Sequence, residues 1–164
     1  MEKTIHYCWF GGKKLPKKVK KCIKTWKKYL PDYKIKEWNE KNFDINSCNF
    51  VKEAYENKKW AFVSDYVRIY ALYHEGGIYF DTDMKIIKDV SNIIDKDFVM
   101  GFEDSGSVGT AFIGVKEKKN KYIKEIMEYY NNISHFNPEI LYDYANPVII
   151  TKILNKYNSF NNDD

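Results

Sequence analysis

Arginine is almost missing from this 164-residue chain: Arg68 is the single example, and the other 26 of its 27 basic residues are lysine. Where any positive charge suffices, this sequence supplies lysine. Position 68 therefore marks a place that wants the planar, forked donor set of a guanidinium. Cysteine is scarce too: Cys8, Cys22 and Cys48 are odd in number and form no CxxC pair. That excludes a disulfide framework and predicts free thiols in a reducing compartment. The three histidines, His6, His74 and His135, are too scattered for a zinc site. No apolar run approaches the length of a membrane span, and the opening "MEKTIHYCWFGGKK" lacks the apolar core of a signal peptide. A cytoplasmic protein is expected, at most peripheral to the inner face of the membrane. Neither sign of charge dominates. A net charge of +4 suits an anionic ligand without demanding nucleic acid, and no nucleic-acid partner is expected.

What the chain does have is core-forming material, with 44% hydrophobic and 17% aromatic residues, enough for one domain spanning 1–164. Residues 4–10 read as a buried strand stopped by Gly11-Gly12. Pro16 suits the first turn of a helix in which Val19, Cys22, Ile23, Trp26, Tyr29 and Leu30 share one face. The other face of that helix, within 16–30, carries Lys17, Lys18, Lys20, Lys21, Lys24, Lys27 and Lys28. It reads either as a solvated face or as a contact for anionic lipid or another acidic surface. A strand at 33–38, a helix at 50–55, a helix at 59–75, strands at 98–102 and 110–115, and a helix at 119–130 follow. Strands alternating with helices predict an α/β layer fold. Beyond Asn137-Pro138 no period stands out, and "NSFNNDD" reads as a polar tail.

The stretch "GGIYFDTDM", residues 76–84, carries the chemistry. Gly76-Gly77 can end the preceding helix, and Ile78-Tyr79-Phe80 reads as a short buried strand. Asp81 and Asp83 follow. In an extended chain they would share a face about 6–7 Å apart, repelling by roughly 2–3 kcal/mol unless a cation lies between them. On that reading, neutralising both would relieve the unliganded protein. On the helix at 59–75, Ser64, Asp65, Arg68 and Glu75 form a polar strip, and Asp65 can pair with Arg68 at i, i+3 spacing. All four charged groups, Asp65, Arg68, Asp81 and Asp83, could meet at one strand end, where open α/β sheets bind ligands. Two hard-oxygen carboxylates without a nearby His or Cys suit Mg²⁺ or Mn²⁺ shared with a diphosphate. A second Asp-x-Asp, Asp95-Lys96-Asp97, carries its own lysine and reads as a turn.

The string "WAFVSDYVRIYALYHEGGIYFDTDM" resembles the DxD glycosyltransferases of family 32, the capsular polysaccharide type, and more distantly the glucosyltransferase domain of the large clostridial toxins. "IHYCWFGG", the lysine-rich helix and "YKIKEWNE" match the same family's opening. The resemblance runs clearly from Thr4 to about Val90. It implies a GT-A-like, Rossmann-like fold and retaining transfer of a hexose from a nucleotide sugar, a UDP-hexose, to a glycan acceptor, with Mn²⁺ or Mg²⁺. By position, it implies that Trp9 stacks on the donor base and that Asp65 and Arg68 hold the donor sugar, Arg68 also lying near the phosphates. Tyr79 would line the donor pocket, Asp81 would contact ribose and metal-bound oxygens, and Asp83 would ligate the metal. Retention is expected through front-face attack, since no carboxylate stands out as a nucleophile. The family runs some tens of residues further, through a segment with another metal or phosphate contact, so the chain is expected to lack the C-terminal part of the domain. It also has Asn146-Pro147 where the family tends towards Gly-Pro. Two alternatives stay open: a nucleotidyl or phosphoryl transferase using two metals, and a non-catalytic nucleotide-sugar-binding module.

Overall fold

The computed structural model describes residues 3–103 and 106–157; the tail read at 158–164 lies outside the described residues. In chain order the elements are β1 (Thr4–Cys8), α1 (Lys17–Tyr29), β2 (Lys34–Trp38), α2 (Asn49–Glu56), α3 (Trp60–Glu75), β3 (Gly77–Phe80), α4 (Ser91–Ile94), β4 (Phe98–Phe102), β5 (Val108–Val115), α5 (Lys121–Asn131), α6 (Leu141–Tyr144) and α7 (Asn146–Leu154). Each strand and helix expected from the sequence forms, with ends shifted by two residues or fewer. The short helices α4, α6 and α7 have no counterpart in the sequence reading.

The five strands make one sheet in the order β2-β1-β3-β5-β4. β1 runs parallel to both β2 and β3, while β5 is antiparallel to β3 and β4. From β1 the chain moves outward through α1 to β2, then returns through α2 and α3 to β3 on the other side of β1. Two right-handed crossovers of opposite direction must put their helices on opposite faces of the sheet. Strand alternation shows that they do. Ile5, Tyr7, Ile78 and Phe80 pack against Cys22, Trp26 and Leu30 on the α1 face. Cys8 and Tyr79 point the other way, into a larger core with Val63, Val67 and Leu72 of α3 and the apolar sides of α5 and α7.

Connections leave β1 and enter β3 in opposite directions, so a crevice opens between the carboxyl ends of those two strands. The register pairs Ile5 with Ile78 and His6 with Tyr79, and the same offset brings Cys8 level with Asp81. The turn into β3 is held tightly. Gly76 takes φ 66°, ψ −165°, a conformation open to glycine and costly for any other residue. Its N–H donates to Leu72 O at 2.9 Å, closing α3. Its carbonyl accepts from buried His6 Nε2 at 2.8 Å, while Trp38 Nε1 donates to His6 Nδ1 at 3.1 Å. Those two bonds require the neutral tautomer protonated on Nε2. His6 thus serves as a structural strut. All three cysteines are free and buried.

Candidate active site

The site is built outward from Arg68. α3 is apolar on most sides, with Val63, Val67, Ile69, Ala71 and Leu72 fully buried, so it runs through the core and takes Arg68 with it. Arg68 is only 5% exposed. A buried guanidinium needs partners for all of its N–H groups, and they are present. Nε donates to Ser64 O at 3.3 Å, and Nη1 donates to Thr110 O at 2.9 Å and to Thr110 Oγ1 at 3.3 Å. Nη2 lies 3.1 Å from Asp65 Oδ1 and 3.2 Å from Asp81 Oδ1. The guanidinium carbon also sits 4.5 Å from the centre of the Tyr79 ring, within cation–π range. One arginine therefore fastens α3, β5 and the end of β3 together, which a lysine with three donors on a flexible stem could not do.

The structure brings Asp65, Arg68, Tyr79 and Asp81 into direct contact. Tyr79 is buried, and its hydroxyl donates to Asp81 Oδ1 at 2.8 Å. It joins the cluster through Asp81. Asp81 N–H donates to Ala111 O at 2.8 Å, tying the turn to β5. The bonds to the Asp81 side chain from described residues all fall on Oδ1, and the carboxylate is one-third exposed, at 34%. Oδ2 therefore remains for another ligand. Asp83 is exposed. Trp9 is half-buried just beyond β1, where its N–H donates to Trp38 O at 2.9 Å and its indole Nε1 donates to Lys13 O at 2.5 Å. It reaches the same edge of the sheet as Asp81, and among the described residues its hydrogen bonds go to Trp38 and Lys13 rather than to the cluster.

One expectation needs correction. Asp81 and Asp83 do not lie on an extended strand: β3 stops at Phe80, and Met84 N–H donates to Asp81 O at 3.0 Å, closing a turn over 81–84. The two carboxylates are turn positions, and Asp81 already shares the Arg68 charge with Asp65. The expected relief on removing both charges does not follow.

Asp65 is the most perturbed carboxyl of the cluster. Desolvation pushes its pKa up from 3.8 to about 6, against the opposing pull of the Arg68 charge and of a hydrogen bond from Asn146 N–H. That N–H donates to Asp65 Oδ2 at 3.1 Å, and Asn146 Nδ2 donates to Asp65 O at 3.2 Å and to Tyr130 OH at 2.6 Å. Tyr130 in turn donates to Tyr144 O at 2.8 Å. Thr110 is a support that the sequence reading does not reach, and Asn146 enters it only as a departure from the family's Gly-Pro, not as a partner of Asp65. A signal for Asn146 was present: Asn-Pro ahead of Ile149, Ile150, Ile153 and Leu154 marks a helix start with one apolar face. Thr110 left no comparable trace, because it acts mainly through its backbone carbonyl.

The second Asp-x-Asp lies elsewhere. Asp95 ends α4, and Asp97 Oδ1 lies 3.8 Å from Lys116 Nζ with its side chain 93% exposed. It is a surface turn, as read, although the offsetting lysine is Lys116 and not Lys96.

A mixed α/β sheet with a crevice between two parallel strands, and a carboxylate-rich turn at its mouth, defines a Rossmann-like nucleotide-sugar fold of GT-A type. The chain belongs to the family described as "glycosyltransferase sugar-binding region containing DXD motif", whose model matches residues 16–99. It is a glycosyltransferase. The fold is similar to that of a solved glycosyltransferase, PaToxG, at TM-score 0.72 and 21% identity, over 94% of this chain and 68% of that one. It is similar also to a transferase solved as a cysteine-to-serine double mutant, at TM-score 0.61 and 12% identity, over 99% of this chain and 87% of that one. No curated protein sequence matches the chain significantly.

Proposed function

We propose that the protein is a metal-dependent, retaining hexosyltransferase of family 32 that moves a hexose from a UDP-sugar to a glycan or polysaccharide acceptor. The observation that carries this reading is the buried Arg68 bridging Asp65 and Asp81, with Asp83 exposed in the adjoining turn. Asp65, Asp81, Asp83 and Arg68 together sum to −2 when ionised, a charge that would repel a diphosphate. A divalent cation between them resolves that conflict.

The residues fit such an ion. Asp83 and the free oxygen of Asp81 are hard ligands suited to Mg²⁺ or Mn²⁺, which commonly complete their shell with water and substrate phosphates. The described residues contain no group of three His, Cys, Asp or Glu side chains able to hold an ion alone, so an ion here would need oxygens from water and substrate as well. Charge developing on the departing diphosphate would be offset by the bound cation, so no general acid is needed. The chain's own residues bind and orient. Trp9 offers a ring for the base. Asp65, as a carboxylate, accepts hydrogen bonds from donor-sugar hydroxyls. Arg68 fixes the angle between Asp65 and Asp81, and acts on phosphates through the position of Asp81.

The test is a panel of UDP-, GDP- and ADP-hexoses, with and without Mn²⁺, read by melting temperature and donor hydrolysis. A UDP-hexose with Mn²⁺ should raise Tm by about 5–10 °C at a hundredfold excess over Kd, and the other bases should do less. Equal shifts for every nucleotide, or none, would remove the donor reading. The pH profile supplies a second check. Asp65 takes up a proton as pH falls through about 6, and a protonated carboxyl accepts sugar hydroxyls poorly. Hydrolysis should therefore fall below about pH 6 and hold above it. The sign for folding is opposite. A raised carboxyl pKa favours the folded state when protonated, so this group's contribution to stability declines as pH rises from 3.8 to about 6.

A further inference from the structure

We propose that the protein docks on an anionic lipid bilayer through one composite face, made of the outer lysines of α1 and the exposed isoleucines of the segment 84–93. This inference does not depend on the donor reading.

Charge is strongly uneven along the chain. Residues 3–31 hold ten lysines and no acidic residue, although the whole protein carries only +4. All seven lysines of α1 are exposed, while Val19, Cys22 and Trp26 on its other side are buried. α1 thus presents a single positive stripe with no internal counter-charge.

The segment that follows the Asp81–Asp83 turn is clipped along the flank of this helix. Trp26 Nε1 donates to Met84 O at 2.8 Å, Ile86 N–H donates to Thr25 Oγ1 at 3.0 Å, and Tyr29 OH donates to Ile87 O at 2.8 Å. Three bonds from little more than one turn of the helix, at Thr25, Trp26 and Tyr29, hold the loop and the lysine stripe as one surface. On that surface Ile87 is 72% exposed and Ile93 44% exposed. Beside them lies a mainly apolar groove of about 340 Å³, lined by Phe80, Met84, Val90 and Phe112 among others, with Lys85 and Lys88 at its border. Asp89 is the single acidic residue within 84–94, and its carboxylate is engaged by Ser91 N–H at 2.9 Å and by the Ser91 hydroxyl.

A lysine stripe alone would suit any polyanion. Exposed isoleucines continuous with it narrow the partner to one that is anionic at its surface and apolar beneath. A bilayer with acidic headgroups meets both conditions, whereas a nucleic-acid backbone offers nothing to two aliphatic side chains. No helix among the described residues is long and apolar enough to cross a membrane, so the contact is interfacial.

The experiment is co-sedimentation with phosphatidylcholine vesicles prepared with and without phosphatidylglycerol. The protein should pellet with the anionic vesicles alone. Ile87→Ser with Ile93→Ser should weaken that binding roughly tenfold, with Tm and lipid-free donor hydrolysis unchanged because both side chains face outward. Lys24→Glu with Lys28→Glu should abolish it, and settles the matter if the isoleucine variant melts early. Failure to pellet with anionic vesicles overturns the proposal. So does a folded isoleucine variant that binds like the parent, or a charge-reversed variant that still pellets.

Discussion

Arg68→Lys should lower the melting temperature by about 5–15 °C and cost at least a hundredfold in donor turnover, although the charge is conserved. The figure comes from counting bonds. Arg68 serves Ser64 O, Thr110 O, Thr110 Oγ1, Asp65 and Asp81 at once. An ammonium group offers three protons from a single point, so at least one buried acceptor is left bare. Each such loss costs about 1–3 kcal/mol, and a carboxylate left without its counter-ion costs more. A total of roughly 2–4 kcal/mol at about 2–4 °C per kcal/mol gives the stated range, within what a domain of ordinary stability survives. Turnover suffers separately, since the fork sets the spacing of Asp65 and Asp81. Thermal melting and donor hydrolysis on the same preparation distinguish the two effects. A lysine variant with the parent's Tm and rate would reduce Arg68 to a helix salt bridge.

Much of this site could be seen in the sequence because its parts are near neighbours in the chain. Asp65 and Arg68 sit one helical turn apart, and the glycine pair hands α3 directly to β3, so local periodicity alone brought three of the charged groups together. Arg68 stood out for a different reason: in a chain that otherwise uses lysine, the choice of arginine carries information about geometry. The supports contributed from a distance were invisible. Thr110 reaches Arg68 across 42 residues and Asn146 reaches Asp65 across 81, and neither acts in a way a local pattern encodes. The turn at 81–84 was missed for a related reason. An apolar run followed by Asp-x-Asp fits a strand that continues, and what ends the strand is a backbone bond from Met84 to Asp81 that no side chain announces. The fold was more legible than its edges, since β1, α1, β2 and α3 each show a clean hydrophobic period, whereas the four-residue helices α4 and α6 are too short to show one.

Asp83→Asn should remove the Mn²⁺-dependent stabilisation by a UDP-hexose while leaving the unliganded protein's Tm within about 1–2 °C of the parent. Asp83 is exposed and makes no hydrogen bond or ion pair with the described residues, so its replacement should shift stability by no more than about 0.5 kcal/mol. Its carboxylate is thus free to be spent on a cation, and the amide that replaces it is a weaker, uncharged ligand. Asp81→Asn is the less clean variant. It takes a counter-ion from buried Arg68 and an acceptor from Tyr79 OH, and should cost about 1–3 kcal/mol before any ligand is added. Two aspartates on either side of Thr82 therefore separate the two roles: loss of metal response without loss of stability at 83, loss of both at 81. The exposed pair at 95 and 97 is the control. Asp95→Asn with Asp97→Asn gives up a 3.8 Å contact to Lys116 at the surface, worth at most about 1 kcal/mol, and should keep the full Mn²⁺ response. Melting curves with and without Mn²⁺ and UDP-hexose decide among them. If the 95/97 variant loses the metal response while Asp83→Asn retains it, the cation does not bind at the end of β3.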